Sequence, residues 1–288
     1  MRREVVITAA LLAPMTVSHA APSTVDDRIA LSGNGTVQTN TGGGGGASAA
    51  WLHNFDSDTL FGLAAEHEKL DVSHWNFGTL NGAVTRGPGD ARYTLYGDAR
   101  AGSGVDGRKH FKYLVGTLGV TGTYFHRLSV TLEDKQFNIE TTHGNLPKLQ
   151  AAYLWNPHLQ TTLAYAYSFG GNLGTRLTTA RVDTYFKPVN VFAGGGIGQA
   201  SPSVLGLGFT APPEHLKEGY VGATKTIPQW RSELTLIVDY QHLSGGTGTT
   251  TKVDPFTGLP LTSGYIIPAS RRWTATLNYM FHIGHNGT

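Results

Sequence analysis

The sequence predicts an all-β chain that forms a transmembrane antiparallel up-and-down β-barrel of about 14 strands, with 12 or 16 as alternatives. Three observations predict it. Strand-like segments of about ten residues with alternating side chains recur after residue 20, and none shows helical 3.6-residue periodicity. Short and long connections alternate between these segments. The last segment, residues 272–281, has one apolar face with aromatic residues at both ends, as a lipid-facing strand has.

The first 20 residues have the features of a cleavable secretory signal. Arg2 and Arg3 precede the mostly apolar residues 5–15, and Ser18 and Ala20 place small side chains at the positions that a signal peptidase reads. The apolar segment is too short for a spanning helix, which needs about 20 residues. We therefore expect cleavage after residue 20 and a single outer-membrane β-barrel domain over residues 21–288.

The composition excludes several classes of function. The chain has 22 basic and 20 acidic residues, so its charge suggests no nucleic-acid partner. It contains no Cys, which removes disulfides and thiolate sites. Neither a phosphate-binding glycine loop nor a paired-His zinc motif is present, and we expect no cofactor and no metal. A mean hydropathy of −0.17 argues against a helical membrane protein, but it suits a barrel with a polar lumen.

The strand-like segments follow one another as a meander. The first is residues 29–38, and the glycine run 42–46 predicts a flexible loop before the next strand starts at Ser48. Short turns are predicted at residues 56–58, 87–90, 125–127, 156–158, 187–190 and 227–229. Longer connections are predicted at residues 71–74, 103–109, 141–146, 170–174, 201–215 and 243–270. A missed turn in 111–125 or a hairpin in 243–270 would change the strand count.

Alternation also separates the two faces of each segment. In residues 91–101, Leu95 belongs to an apolar face and Arg100 to a charged face. A charge at the membrane midplane costs about 2–4 kcal/mol for Arg or Lys, so the charged face must point into the lumen. The predicted lumen-lining residues are Glu66, Glu68, Arg92, Tyr96, Asp98, Arg100, Arg127, Glu133, Lys135, Arg181, Asp183, Tyr185, Glu233 and Asp239. Their mixed signs indicate either a hydrated channel without strong ion selectivity or ion pairs that only stabilise the wall.

Three tyrosines are predicted on the same inward face, namely Tyr96, Tyr113 and Tyr185. A tyrosine ring stacks on a sugar ring while its hydroxyl group forms hydrogen bonds, which makes a glycan one candidate solute. The alternative is that these rings fill space inside the barrel.

One short motif points to a different class of function. His242-Leu243-Ser244 resembles the His-x-Ser element of outer-membrane phospholipases and lipid A deacylases. Residues two apart in a strand share a face, so His242 could activate Ser244 for nucleophilic attack. The resemblance also implies an Asn or Glu about a dozen residues further on, whereas this region holds Asp254 in a loop rich in Gly, Thr and Pro. We therefore expect that the protein is not an enzyme.

The last strand resembles the C-terminal signal strand of bacterial outer-membrane barrels. It carries Trp273, Leu277, Tyr279 and Phe281 on one face. The resemblance implies recognition of these residues by the barrel-assembly machinery and contact with outer-membrane lipids. We expect this strand to close the barrel by pairing with residues 29–38.

In overall layout the chain resembles YaiO-type outer-membrane proteins and the barrels of exopolysaccharide secretion porins. The resemblance lies in the chain length, the turn 86–89, the turn 154–157 and the last strand. It implies an outer-membrane channel for passage or export of a polar solute, with a polysaccharide as one candidate. A structural or surface-interaction barrel without transport and a lipid-hydrolysing barrel remain the alternatives.

Overall fold

Alternating side chains form strands along almost all of the chain that the structure describes. The computed structural model describes residues 26–39, 43–56, 58–70, 73–88, 91–106, 109–139, 142–171, 174–200, 214–253, 260–267 and 269–284. The predicted signal lies outside these residues. The strands are β1 (Asp26–Gln38), β2 (Gly43–Asn54), β3 (Thr59–Leu70), β4 (Ser73–Arg86), β5 (Ala91–Asp106), β6 (Lys109–Tyr124), β7 (Leu128–Ile139), β8 (Thr142–Asn156), β9 (Leu159–Tyr167), β10 (Arg176–Phe186), β11 (Val189–Ala200), β12 (Glu214–Ile227), β13 (Ser232–Leu243), β14 (Gly246–Val253), β15 (Pro260–Ile267) and β16 (Ser270–Gly284).

Fourteen of these strands form one closed antiparallel barrel in the order β1-β16-β13-β12-β11-β10-β9-β8-β7-β6-β5-β4-β3-β2. The predicted strand count is confirmed, because β6 runs unbroken through residues 111–124 and the hairpin in residues 243–270 forms a separate two-stranded sheet, β14-β15. Among the described residues, no helix is long and apolar enough to cross a membrane.

The barrel closes between its first and last strands, as the sequence predicts. β1 and β16 pair along their whole length, from Asp26 opposite Gly284 to Gln38 opposite Arg272. Closure satisfies the backbone hydrogen bonds of both strands, which leaves the barrel without the exposed edge that an open sheet would present to lipid.

The outward face of the barrel is an apolar belt. Large apolar side chains are exposed on it, with 63% of Leu118, 63% of Leu163 and 55% of Trp273 accessible. Tyr240 and Trp273 lie side by side in this belt, with ring centroids 4.7 Å apart. An exposed apolar belt on a closed barrel with aromatic side chains near its ends is the surface of a transmembrane barrel.

Short turns join the strands at one end of the barrel, which we call the inner rim; it holds the β2-β3, β4-β5, β6-β7, β8-β9, β10-β11 and β12-β13 connections. The predicted turns lie there. At the first turn, the backbone N–H of Asp58 donates to the Asp56 carboxylate at 2.7 Å and lowers the pKa of Asp56 below its ordinary value. In the β6-β7 turn, Phe125 and His126 adopt positive φ angles of 51° and 55°.

The opposite end, which we call the outer rim, corrects part of the sequence prediction. The connections predicted at residues 71–74, 103–109 and 141–146 are short, because strands continue almost to their turning points. Two residues separate β3 from β4, β5 from β6 and β7 from β8. The longer connections are those between β9 and β10, between β11 and β12, and between β13 and β16, where β14-β15 stands. Short and long connections therefore alternate only in the second half of the barrel.

The glycine run is a second correction. Residues 43–46 begin β2 rather than forming a loop, and they pair with β1 on one side and β3 on the other. Gly45 lies so close to β1 that an added Cβ would be 2.7 Å from the carbonyl oxygen of Asn34. Glycine in this strand allows a close approach of two backbones, which is one of its ordinary roles in sheets.

Candidate functional site

The candidate site is the lumen, defined as the inward face of the barrel strands. Strand alternation turns almost all of the predicted lumen-lining residues to this face. Those on inward-facing strand positions are Glu66, Glu68, Arg92, Tyr96, Asp98, Arg100, Glu133, Lys135, Arg181, Asp183, Tyr185, Glu233 and Asp239. Arg127 differs, because it lies exposed in the β6-β7 turn at the inner rim. The Arg92 side chain lies at the same rim, 2.5 Å from Asp58.

Arg100 on β5 is held between an anion and an aromatic ring. Its guanidinium lies 2.7 Å from Glu66 on β3 and 4.0 Å from the centroid of the Phe77 ring on β4. The Phe77 ring in turn contacts Tyr113 on β6, with centroids 4.9 Å apart. An arginine with both a carboxylate and an aromatic partner is positioned by charge and by stacking, which fixes its orientation in the lumen.

A second ion pair lies further round the wall. The Lys148 ammonium on β8 is 2.9 Å from Glu133 on β7, and the Tyr96 hydroxyl on β5 donates to the other Glu133 oxygen at 2.7 Å. The Tyr96 ring crosses the intervening strand β6 at Gly119, where an added Cβ would overlap the ring. Lys135 lies near enough to Glu133 and Asp98 for electrostatic interaction with both.

The third ion pair joins two residues of one strand. Arg181 and Asp183 on β10 form hydrogen bonds of 2.9, 2.9 and 2.5 Å, and Asp183 is only 5% exposed. The Arg181 guanidinium lies 4.3 Å from the centroid of the Phe192 ring on β11. The Tyr220 ring on β12 reaches over Gly194, where an added Cβ would be 2.5 Å from the ring. This pair is therefore enclosed by aromatic rings from neighbouring strands.

Arg272 is a lumen residue that the sequence analysis missed. It lies on the inward face of β16, is 4% exposed, and donates to the Gln241 side chain at 2.5 Å. Asp239, Glu68 and Glu218 all act on its guanidinium electrostatically. Alternation could have placed Arg272 in the lumen, since it shares a face with Thr274 and Thr276, but it could not have shown which acids surround it.

Apolar and aromatic side chains fill another part of the lumen, and of the five that follow the sequence predicts only Tyr113 there. The buried inward-facing residues of β4, β6 and β7 are Trp75, Phe77, Tyr113, Val115 and Phe137. On β4 they alternate with the polar residues His74 and Asn76, which take the outward face. A prediction from hydrophobicity alone would have placed Trp75 and Phe77 on the lipid-facing side of this strand.

The predicted assembly residues face outward. Trp273, Leu277, Tyr279 and Phe281 lie on the outward face of β16, and the Tyr279 and Phe281 rings lie 6.2 Å apart. Their position agrees with contact with lipid. Their recognition by assembly machinery remains a prediction.

His242 and Ser244 lie at the outer rim. His242 is on the outward face of β13, and Ser244 follows the end of that strand. The Ser244 hydroxyl group accepts from the backbone N–H of His215 at 3.2 Å and donates to the carbonyl oxygen of Gly245 at 3.3 Å. In the described part of the chain, no hydrogen bond joins Ser244 to His242. Among all the residues that the structure describes, no three His, Asp or Glu side chains lie close enough together to bind one metal ion.

The closed barrel, its apolar belt and its charged lumen define a transmembrane barrel of the outer-membrane type. No protein-family model and no curated protein sequence matches the chain. Solved structures do match. The CymD monoaromatic hydrocarbon channel has a TM-score of 0.59 and 8% identity, covering 91% of this chain and 90% of CymD.

Two further structures have the same fold. A Pseudomonas aeruginosa FadL homologue has a TM-score of 0.57 and 9% identity, covering 89% of this chain and 90% of that one. The P. putida toluene transporter TodX has a TM-score of 0.57 and 8% identity, covering 92% of both chains. At such low identity, the likeness shows the fold and leaves the solute to be argued from the lumen.

Proposed function

We propose that the protein is an outer-membrane channel through which a small polar or amphipathic organic solute passes. The observation that carries this proposal is the set of ion pairs on the inward face, namely Arg100 with Glu66, Lys148 with Glu133 and Arg181 with Asp183. Ionisable groups within membrane-spanning segments are uncommon, and they mark pathways for polar solutes. Because each of these charges has a partner of opposite sign, the lumen offers hydrogen-bonding groups without a strong field of one sign.

A second candidate is an aromatic hydrocarbon. TodX and CymD, which share the fold, are a toluene transporter and a monoaromatic hydrocarbon channel. The inward aromatic residues Trp75, Phe77 and Phe137 would suit such a solute, but each is less than 10% exposed. A hydrocarbon would have to displace side chains that already pack on one another, so we favour the polar solute.

A glycan is a narrower form of the first candidate. Tyr96 and Tyr185 face the lumen and could stack on sugar rings. The Tyr96 hydroxyl already donates to Glu133, however, and the neighbouring structures lend no support to polysaccharide export. We keep a short oligosaccharide as a probe of the channel rather than as its proposed solute.

We propose no hydrolytic role for His242 and Ser244. The Ser244 hydroxyl group accepts from the backbone N–H of His215 on β12 and donates its proton to the carbonyl oxygen of Gly245, so it directs no proton at His242. A purely structural barrel remains the competing class, and conductance separates it from a channel.

The test is single-channel conductance of the refolded chain in planar bilayers, with neutral and charged oligosaccharides added as blockers. A matched influx assay in liposomes compares a small sugar with toluene. We expect stepwise conductance, block by oligosaccharides and faster sugar influx. Barrels that shift on gels when unheated but never conduct would instead support the structural class, and influx of toluene alone would support the hydrocarbon.

Two neighbouring carboxylates on β7 provide a matched pair of variants. Glu133 faces the lumen, whereas Asp134 faces outward, because its cross-strand partner is the lipid-exposed Leu118. We expect Glu133→Gln to shift the cation-to-anion permeability ratio towards anions and Asp134→Asn to leave it unchanged. Equal shifts for the two variants would contradict a path along the inward face.

A further inference from the structure

Three basic side chains form a row on the outside of the barrel near the outer rim. Lys217 on β12 is the direct cross-strand partner of His242 on β13, and His242 is the direct partner of Arg271 on β16. All three share the outward face, because Tyr240 and the exposed Trp273 lie two residues from His242 and Arg271 along their strands, and cross-strand partners face the same way. Adjacent strands lie about 4.8 Å apart, so the row spans about 10 Å.

The row stands directly beside the interfacial aromatic residues. Tyr240 pairs with Trp273 one step further into the membrane, and their rings lie 4.7 Å apart. Tyrosine and tryptophan in such positions mark the level of the lipid headgroups. Lys217, His242 and Arg271 therefore lie on the aqueous side of that level, where headgroups meet the protein.

In the described parts of these three strands, no acidic side chain on the outward face neutralises the row. Within the described residues of β12, β13 and β16, the outward positions hold no Asp or Glu. The inner rim differs, because the outward-facing Asp27 on β1 accepts from Trp51 at 3.0 Å and contacts His53 at 2.8 Å. Lys69 and Arg176 also face outward near the outer rim, so the basic character continues around the barrel.

We propose that Lys217, His242 and Arg271 bind the phosphate of an anionic lipid headgroup at the outer-rim side of the membrane. Arginine and lysine are the side chains that recognise phosphate by charge and hydrogen bonding, and an imidazole N–H adds a donor between them. The acyl chains of the same lipid would lie along the apolar belt below, against Val221, Val238 and Ala275. This site is separate from the lumen and does not depend on the solute.

The test uses the full chain refolded in mixed micelles that contain equal amounts of phosphatidylglycerol and phosphatidylcholine. Native mass spectrometry then gives the ratio of the two lipids retained on the barrel. We expect the wild-type protein to retain more phosphatidylglycerol than phosphatidylcholine. In K217Q/H242Q/R271Q, the ratio of the two retained lipids should fall about fivefold for each Lys or Arg removed. An equal ratio for the wild-type protein, or no change in the triple variant, would overturn the proposal.

Two further arms sharpen the result. The control variant R86Q/K225Q removes two outward basic residues from the inner rim, and we expect it to keep the wild-type lipid ratio. Millimolar inorganic phosphate should leave the bound lipid in place, because the acyl chains contribute to binding; displacement would mean a site for soluble phosphate and would overturn the lipid assignment. If the triple variant fails to fold, the single variants Lys217→Gln and Arg271→Gln give the same comparison.

Discussion

At the scale of single residues, the Tyr96 ring occupies space that only glycine leaves open. The ring crosses β6 at Gly119 to reach Glu133 on β7, and an added Cβ at Gly119 would overlap it. Gly116 lies on the same strand with no atom nearer than 3.9 Å to an added Cβ. A comparison of alanine substitutions at these two glycines therefore distinguishes the packing of Tyr96 on Gly119 from the general cost of replacing a glycine in this strand.

We expect Gly119→Ala to destabilise the barrel by about 1–3 kcal/mol, because Tyr96 must leave its position and lose its hydrogen bond to Glu133. Gly116→Ala should change stability by less than about 0.5 kcal/mol, as surface substitutions usually do. Denaturant unfolding of refolded protein, followed by tryptophan fluorescence, measures both. Similar losses in the two variants would show that the Tyr96 contact carries no stability.

The contribution of each charge pair to the free energy of unfolding should depend on its burial. Asp183 is buried beside Arg181, whereas Asp58 and Arg92 form their pair at the exposed inner rim. Removing one partner of a buried pair leaves an uncompensated charge and costs about 3–5 kcal/mol, whereas exposed pairs are worth about 0–1 kcal/mol. We therefore expect Asp183→Asn to lower the unfolding free energy far more than Asp58→Asn. The same unfolding experiment checks this, and comparable losses would count against an enclosed pair.

At the scale of elements, alternation predicted which face of a strand meets lipid, but it could not predict where a strand ends. β16 has the predicted faces and the predicted partner β1. The connections at the outer rim were predicted too long, because polar residues such as Ser103 and Asp106 continue a strand when the neighbouring strand offers hydrogen bonds. The glycines of β2 were predicted as a loop for the same reason, since pairing partners are not visible in a local pattern.

The outward face of β16 should be required for assembly. We expect Tyr279→Asp and Phe281→Asp each to reduce the amount of barrel in the outer membrane, because a carboxylate would face lipid and the aromatic signal would be lost. Asn278→Asp is the control, since Asn278 faces the lumen between Ser32 and Thr235. Heat-modifiable mobility of membrane fractions measures assembly. Normal insertion of the Tyr279→Asp/Phe281→Asp double variant would contradict the assembly role.

At the scale of the whole molecule, ring closure brings together residues that no local pattern connects. Arg272 meets Gln241 from the neighbouring strand and acts on Glu68 from a strand on the other side of the closure. The sequence indicated a charged lumen and most of its members, because that needs only alternation. It could not indicate the grouping of the charges, because the height and neighbours of each residue depend on the register of the closed ring.

The closure itself can be tested in a chain that contains no natural cysteine. Thr36 on β1 and Thr274 on β16 are direct partners, with hydroxyl oxygens 3.2 Å apart in the lumen. We expect T36C/T274C to form a disulfide on oxidation, visible as a mobility shift of the denatured chain on non-reducing gels. T36C/N278C is four residues out of register, about 13 Å along the strand, and should not cross-link. The reverse result would require a different register.

The pleat of the wall also bears on how such a protein can change over generations. Along β16, Thr274, Thr276 and Asn278 meet only the lumen, and Trp273 and Leu277 meet only the membrane. A substitution in one set leaves the surroundings of the other set unaltered. Selection, or a designer, can therefore alter what the interior accepts while the residues that hold the barrel in its bilayer stay the same.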